Sequence, residues 1–157
     1  MWQIDIPGFN TLKIENLVFD FNGTLAEDGE LIPGVETLLM ELANQFTIYI
    51  VTADTFGKAA EQVKNTRCKL EILPAGNQAK AKQRLIQQLG SERCIAVGNG
   101  RNDHLMLREA AIGIAVVQAE GASAKTLQSA DIVCHSILDA LQLFKSTKKR
   151  LIATLRD

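Results

Sequence analysis

No apolar run in this 157-residue sequence approaches the roughly 20 residues needed to span a bilayer. The opening stretch, MWQIDIPGF, has neither a basic segment nor a long apolar one, so it does not read as a secretory signal. Charge of one sign is lacking as well. The formal net charge is −1, which gives no general basic surface for nucleic acid or anionic lipid. The densest basic cluster, KSTKKR from Lys145 to Arg150, reads as a solvated helix face. Cysteine is sparse: Cys68, Cys94 and Cys134 stand far apart, with no CxxC pair. Reduced, mostly buried thiols are expected, as in a cytoplasmic protein. The two histidines, His104 and His135, have no partner at metal-ligand spacing.

Apolar residues make up 46% of the chain, enough for one domain over residues 1–157 with a sizeable core. Short apolar runs alternate with segments of helical period. NLVFDF, TIYIVT, KLEIL, RCIAVG, AIGIAVV and DIVC read as strands. GVETLLMELANQF places Val35, Leu38, Leu39 and Leu42 on one helical face, after Pro33 and Gly34. FGKAAEQVKNT reads as a helix, and so does NQAKAKQRLIQQLG, which Gly90 stops. NDHLMLREA, GASAKTLQSA, ILDALQLF and KRLIATLR are further helices. Strands alternating with helices predict an α/β fold with a mainly parallel sheet, and the nearly all-apolar strands suit a sheet covered on both faces. AEDGELIPG is too polar for core and reads as a small hairpin turning at Asp28-Gly29.

In such a sheet, ligands bind beyond the carboxyl ends of the strands. Asp20 ends the first main strand, Thr52 the second, and Asn99 and Asp103 follow IAVG. Lys82 lies near the start of the helix before that last strand. Acid, hydroxyl, amine and a polar pair in a Gly-rich loop suit phosphoryl transfer. A carboxylate can attack phosphorus, while a hydroxyl and a lysine hold the transferred oxygens. Mg²⁺ held by oxygen ligands would neutralise charge, and Gly23 would let backbone N–H groups approach phosphate. Taken singly, each residue has a plainer reading. Asp20 is a strand-end turn acid, Thr52 and Asp54 are helix caps, Lys82 is a solvated lysine and GNGRND is a Gly/Asn turn. The combination, in this order and at strand ends, favours chemistry.

DFNGTL, YIVTAD, the lysine in KAKQRLIQQLG and GNGRNDHLML together resemble the four motifs of the haloacid dehalogenase superfamily, over about residues 15–135. TAD and GNGRND most closely resemble the phosphorylation domain of P-type ATPases, which suggests a soluble, stand-alone relative of it. The resemblance implies a Rossmann-like three-layer α/β sandwich. It makes Asp20 the nucleophile and assigns phosphate binding to Thr52, Ala53, Gly23, Thr24 and Lys82. Mg²⁺ is implied as cofactor, held by Asp20, the backbone carbonyl of Asn22, Asn99 and Asp103. Lys80 competes with Lys82 for the lysine role, but sits about 200° round the helix from it. Lys82 precedes Leu85, Ile86 and Leu89 by three, four and seven residues, so its side of the helix faces the core.

Two positions depart from the family pattern. Asn22 stands where its phosphatases carry an acid–base aspartate, and Asn99 where they carry a metal-binding one. An amide cannot exchange a proton usefully near neutral pH, so slow turnover is expected. A weakened phosphate-binding or regulatory module is the alternative. Only 31 residues, Phe21 to Val51, separate the first two motifs. That leaves room for a hairpin flap at about 24–32 but not for a cap domain. An open site is implied, acting on a small phosphorylated substrate or a phosphoprotein, with a homo-oligomer expected by analogy.

Overall fold

The structure, a computed structural model, describes residues 2–54, 57–145 and 147–157. Met1, Phe56 of the expected second helix and Ser146 of the basic run lie outside the described residues.

The central sheet contains β3 (Asn16–Asp20), β6 (Thr47–Thr52), β7 (Lys69–Ile72), β8 (Cys94–Gly98), β9 (Ile112–Val116) and β10 (Ile132–Cys134), in the order β10-β9-β8-β3-β6-β7. Every neighbouring pair is parallel, as the apolar strands predict. The chain winds outward from β3 through β6 to β7, then returns to β8 and winds outward the other way. The β3/β8 boundary is therefore the topological switch point. Asp20 and Asn99 leave the sheet there side by side, which is where a crevice forms in this class of fold.

The strands divide their side chains between two unequal layers. Leu17, Phe19, Ile48, Ile50, Ile95, Val97, Ile112 and Ile114 face the larger core, which also takes in α1 (Val35–Leu42), α2 (Lys58–Val63) and α6 (Ile137–Gln142). Val18, Val51, Cys94, Ala96 and Ala115 face the other side, against α3 (Gln78–Leu89) and α4 (His104–Glu109). The residues on this second face are smaller, so α3 and α4 lie close to the sheet. Between β9 and β10 runs the short α5 (Ala124–Ser129). Burial raises the thiol pKa of Cys94 and of Cys134 to about 11, and burial also pushes the Cys68 thiol above its ordinary value.

Between β3 and α1, β4 (Ala26–Glu27) and β5 (Glu30–Leu31) form a two-stranded hairpin. Its turn residues, Asp28 and Gly29, have φ of 51° and 84°. Left-handed values at both central positions mark the turn that matches strand twist, and Asp-Gly favours it. Among the described residues, neither this connection nor the one from β6 to α3 contains a further domain.

One element was not expected from the sequence. β1 (Trp2–Ile6) and β2 (Asn10–Ile14) form an antiparallel hairpin that buries Trp2, Ile4, Ile6, Leu12 and Ile14 in the larger core. The period-2 alternation in WQIDI is the signal for it. In the basic run, Lys149 and Arg150 are exposed, as expected of a solvated face, but Lys148 is half-buried. Lys148, just before α7 (Lys149–Leu155), donates to the Gln3 carbonyl at 2.6 Å and lies 5.0 Å from the Trp2 ring centre. It pins this hairpin through a hydrogen bond and a cation–π contact.

Candidate active site

At the switch point, three ionisable side chains meet out of water. The Lys82 ammonium donates to Asp20 Oδ1 at 2.9 Å and to Asp103 Oδ1 at 2.7 Å. Lys82 is 1% exposed, Asp20 8% and Asp103 0%. Lys82 shares a helix face with fully buried Ile86, one turn on, and so occupies what is otherwise a core position of α3. Lys80 is exposed. The structure thus brings Lys82, and not Lys80, to Asp20.

The electrostatics follow from burial. Desolvation, and then the charge of Asp103, push the Asp20 carboxyl up from 3.8 to about 6, against the pull of Lys82 and the Thr24 hydroxyl. For Lys82, burial acts to lower the pKa, but Asp20 and Asp103 outweigh it and hold the ammonium above its ordinary value. The lysine stays charged, and the triad carries one surplus negative charge once Asp20 ionises.

Asp103 is set differently from the sequence expectation of a metal ligand. Its Oδ2 accepts the backbone N–H groups of Asn99 (3.0 Å) and Gly100 (2.9 Å), while Oδ1 takes Lys82. Both oxygens are engaged, and the side chain does not line the cavity. Gly98 makes this possible. A Cβ there would fall 2.5 Å from Asp103 Cγ, too close for any other residue.

Gly23 and Thr24 also differ from their expected place as phosphate donors. The Gly23 N–H is bonded to the Ala26 carbonyl at 2.8 Å and the Thr24 N–H to that of Phe21 at 3.2 Å. The buried Thr24 hydroxyl lies 3.2 Å from both Asp20 Oδ2 and Asn99 Oδ1, bracing the two strand ends against each other.

Above the triad opens a cavity of about 320 Å³, lined by Asp20, Asn22, Thr52, Ala53, Lys82 and Asn99 among others. Asn22 is exposed there. Of the two candidate caps for α2, Asp54 does the capping: its carboxylate accepts Ala59 N–H at 2.8 Å and Ala60 N–H at 3.4 Å. Lys58, Gln78, Asn102 and Glu120 line the same cavity and were not singled out from the sequence. All four lie in or near loops at the carboxyl edge of the sheet, and that position is the signal that could have found them. Of the residues lining the cavity, Asp20, Asn22 and Asn99 carry the oxygen donors that could hold a cation. This all-oxygen set fits a hard cation such as Mg²⁺.

The haloacid dehalogenase-like hydrolase family profile matches residues 35–139, more than half of the chain, and the protein belongs to that family. The matched span includes Thr52, Lys82, Asn99 and Asp103. The chain is 44% identical over 86 residues to an uncharacterized protein of Methanocaldococcus jannaschii, an overlap covering 52% of this chain and 91% of that one. Among solved structures it resembles the 3-deoxy-D-manno-octulosonate 8-phosphate phosphatase of Moraxella catarrhalis, in complex with magnesium, phosphate and its sugar. The TM-score is 0.70 at 17% identity, over 91% of this chain and 94% of that one. The cobalt-bound form of the Haemophilus influenzae phosphatase gives 0.65 at 15%, over 88% and 97%. At these identities the likeness is one of fold. No helix among the described residues is long and apolar enough to cross a membrane.

The triad makes a stability prediction. Because the folded Asp20 pKa is raised, the native state holds that proton more tightly than the unfolded chain does. Stability therefore falls as pH rises from about 4 to about 6 and stays lowered above that, by up to about 3 kcal/mol. Without divalent cations, Asp20→Asn should be more stable than wild type near pH 7, and the gain should vanish below about pH 4. Lys82→Ala should cost about 3–5 kcal/mol by stranding two buried carboxylates. Lys80→Ala should stay within about 0.5 kcal/mol. Urea denaturation of the variants across pH measures all of these. An Asp20→Asn variant less stable than wild type at neutral pH would contradict the account.

Proposed function

We propose that the protein is a Mg²⁺-dependent phosphohydrolase that works through an aspartyl-phosphate on Asp20, as the phosphorylation domain of P-type ATPases does. The observation that carries this reading is the Asp20–Lys82–Asp103 triad beneath the cavity. It holds a carboxylate oxygen at the cavity floor, with a permanently charged lysine beside it. In the first step, an Asp20 oxygen forms a bond to phosphorus, the bond to the leaving oxygen breaks, and that oxygen takes a proton from solvent. In the second step, water adds to phosphorus, the bond to Asp20 breaks, and inorganic phosphate leaves. Lys82 balances charge on the phosphoryl oxygens, and the Thr52 hydroxyl, at the cavity wall, donates to one of them. Asp103 acts indirectly, by fixing Lys82 and the Asn99–Gly100 backbone. A bound Mg²⁺, held by Asp20, the Asn22 carbonyl and Asn99, would supply further charge neutralisation.

Asn22 sets the rate. Its amide lies at the cavity but neither protonates the leaving group nor activates water, which removes a term worth about 10²–10⁴-fold. Good leaving groups suffer least in the first step, whereas the second lacks its base for every substrate. The covalent state should therefore accumulate. The cavity's size and openness suit a small phosphorylated substrate. The two amides at positions 22 and 99 also favour a second reading, a module that binds phosphate without efficient turnover.

With Mg²⁺ and acetyl phosphate or p-nitrophenyl phosphate, the wild type should form an acid-stable phosphoenzyme that Asp20→Asn lacks. Binding of phosphate with neither turnover nor phosphoenzyme would support the module instead. Asn22→Asp should shorten the life of the phosphoenzyme and raise turnover, more for alkyl than for aryl phosphates, because it restores both base and acid. Rates and labelling unchanged by Asn22→Asp would show that water attack does not depend on position 22.

A further inference from the structure

We infer that Glu120 supplies a second carboxylate to the divalent-cation site, an inference that rests on the phosphohydrolase reading above. The need for one comes from a count of charges. Asp103 faces Lys82 and the two cancel, so Asp20 is the only one of the expected ligands that brings the cation a net charge. Asn99 and the Asn22 carbonyl bring none. Mg²⁺ sites in proteins draw on one or two carboxylates, and affinity for hard cations follows the ligand charge.

Glu120 is placed to meet that need. It lines the cavity together with Asp20, Asn22 and Asn99. Its carboxylate rests directly against Gly23, in the turn that follows the nucleophile. A Cβ on Gly23, whose φ is 80°, would meet Glu120 Oε2 and the Asn99 amide, so the glycine lets the exposed Glu120 side chain lie this close to the turn. Glu120 joins no ion pair among the described residues.

The loop that carries it is fixed to both sides of the site. The Gln118 amide donates to the carbonyls of Gly23 (3.1 Å) and Thr24 (2.9 Å), beside the nucleophile. On the other side, Asn99 Nδ2 donates to the Gly121 carbonyl at 3.1 Å, and the Ser123 N–H to the Asn99 carbonyl at 2.8 Å. Glu120 thus lies between two anchors, one on each strand end of the switch point. The third loop provides the charge that the amide at position 99 omits.

Binding of Mg²⁺ by titration calorimetry, and of Mn²⁺ by electron paramagnetic resonance, tests this on the full chain without substrate. Glu120→Gln should raise both dissociation constants by roughly 10–100-fold, the loss typical of removing a supporting carboxylate from a metal site. Glu92→Gln, an exposed charge change away from the cavity, should leave them unchanged. If Glu120→Gln binds like wild type while Asp20→Asn does not, the inference about Glu120 fails and the Asp20 reading stands. Equal losses in Glu120→Gln and Glu92→Gln would reduce the effect to net charge and overturn the inference. A wild type that binds neither cation would overturn both readings.

Discussion

A lysine held between two carboxylates, with almost no water, is the constraint on which the rest of this molecule turns. An ammonium so deeply buried is tolerable only when paired with a carboxylate, and the buried carboxylates only with the ammonium. To meet those terms, three separate parts of the chain must converge: the end of β3, the first half of α3 and the loop after β8. A parallel sheet that reverses direction between β3 and β8 brings the two strand ends together. The small side chains of Val18, Cys94, Ala96 and Ala115 let α3 lie close enough for Lys82 to reach them. Gly98 leaves the space into which Asp103 folds back.

Much of this was legible beforehand. Strands buried on both faces lose alternation and become continuous apolar runs, and NLVFD and CIAVG show it plainly. The helical arc separating Lys80 from Lys82 was enough to pick the inward lysine, because a 3.6-residue period leaves little choice once Ile86 is known to be core. What periodicity does not encode is where the second hydrogen-bonding atom of a side chain goes. Asp103 reads as a ligand by its type and position, but Gly98 and two backbone N–H groups turn it beneath the cavity. The amides of Gly23 and Thr24 read as free donors, but they close their own turn. The hairpin of β1 and β2 was missed although its alternation is visible. For Glu120 the signal is its place in a loop at the carboxyl edge of the sheet and not its local sequence, and its proximity to Gly23, nearly a hundred residues away in the chain, emerges only in the fold.

The two faces of the sheet divide the labour. On the thin face, α3 and α4 press the triad into a close-packed layer in which a single added methylene is felt. On the thick face lie the hairpin turning at Asp28-Gly29 and the start of α2 with Lys58, both at the cavity mouth. The groups at the rim of the cavity thus belong to a different layer from the buried triad beneath it. Substrate range could drift through changes in the hairpin and Lys58 while the buried charges stay untouched. The same core could then serve many phosphate esters over evolutionary time, each met by a different rim.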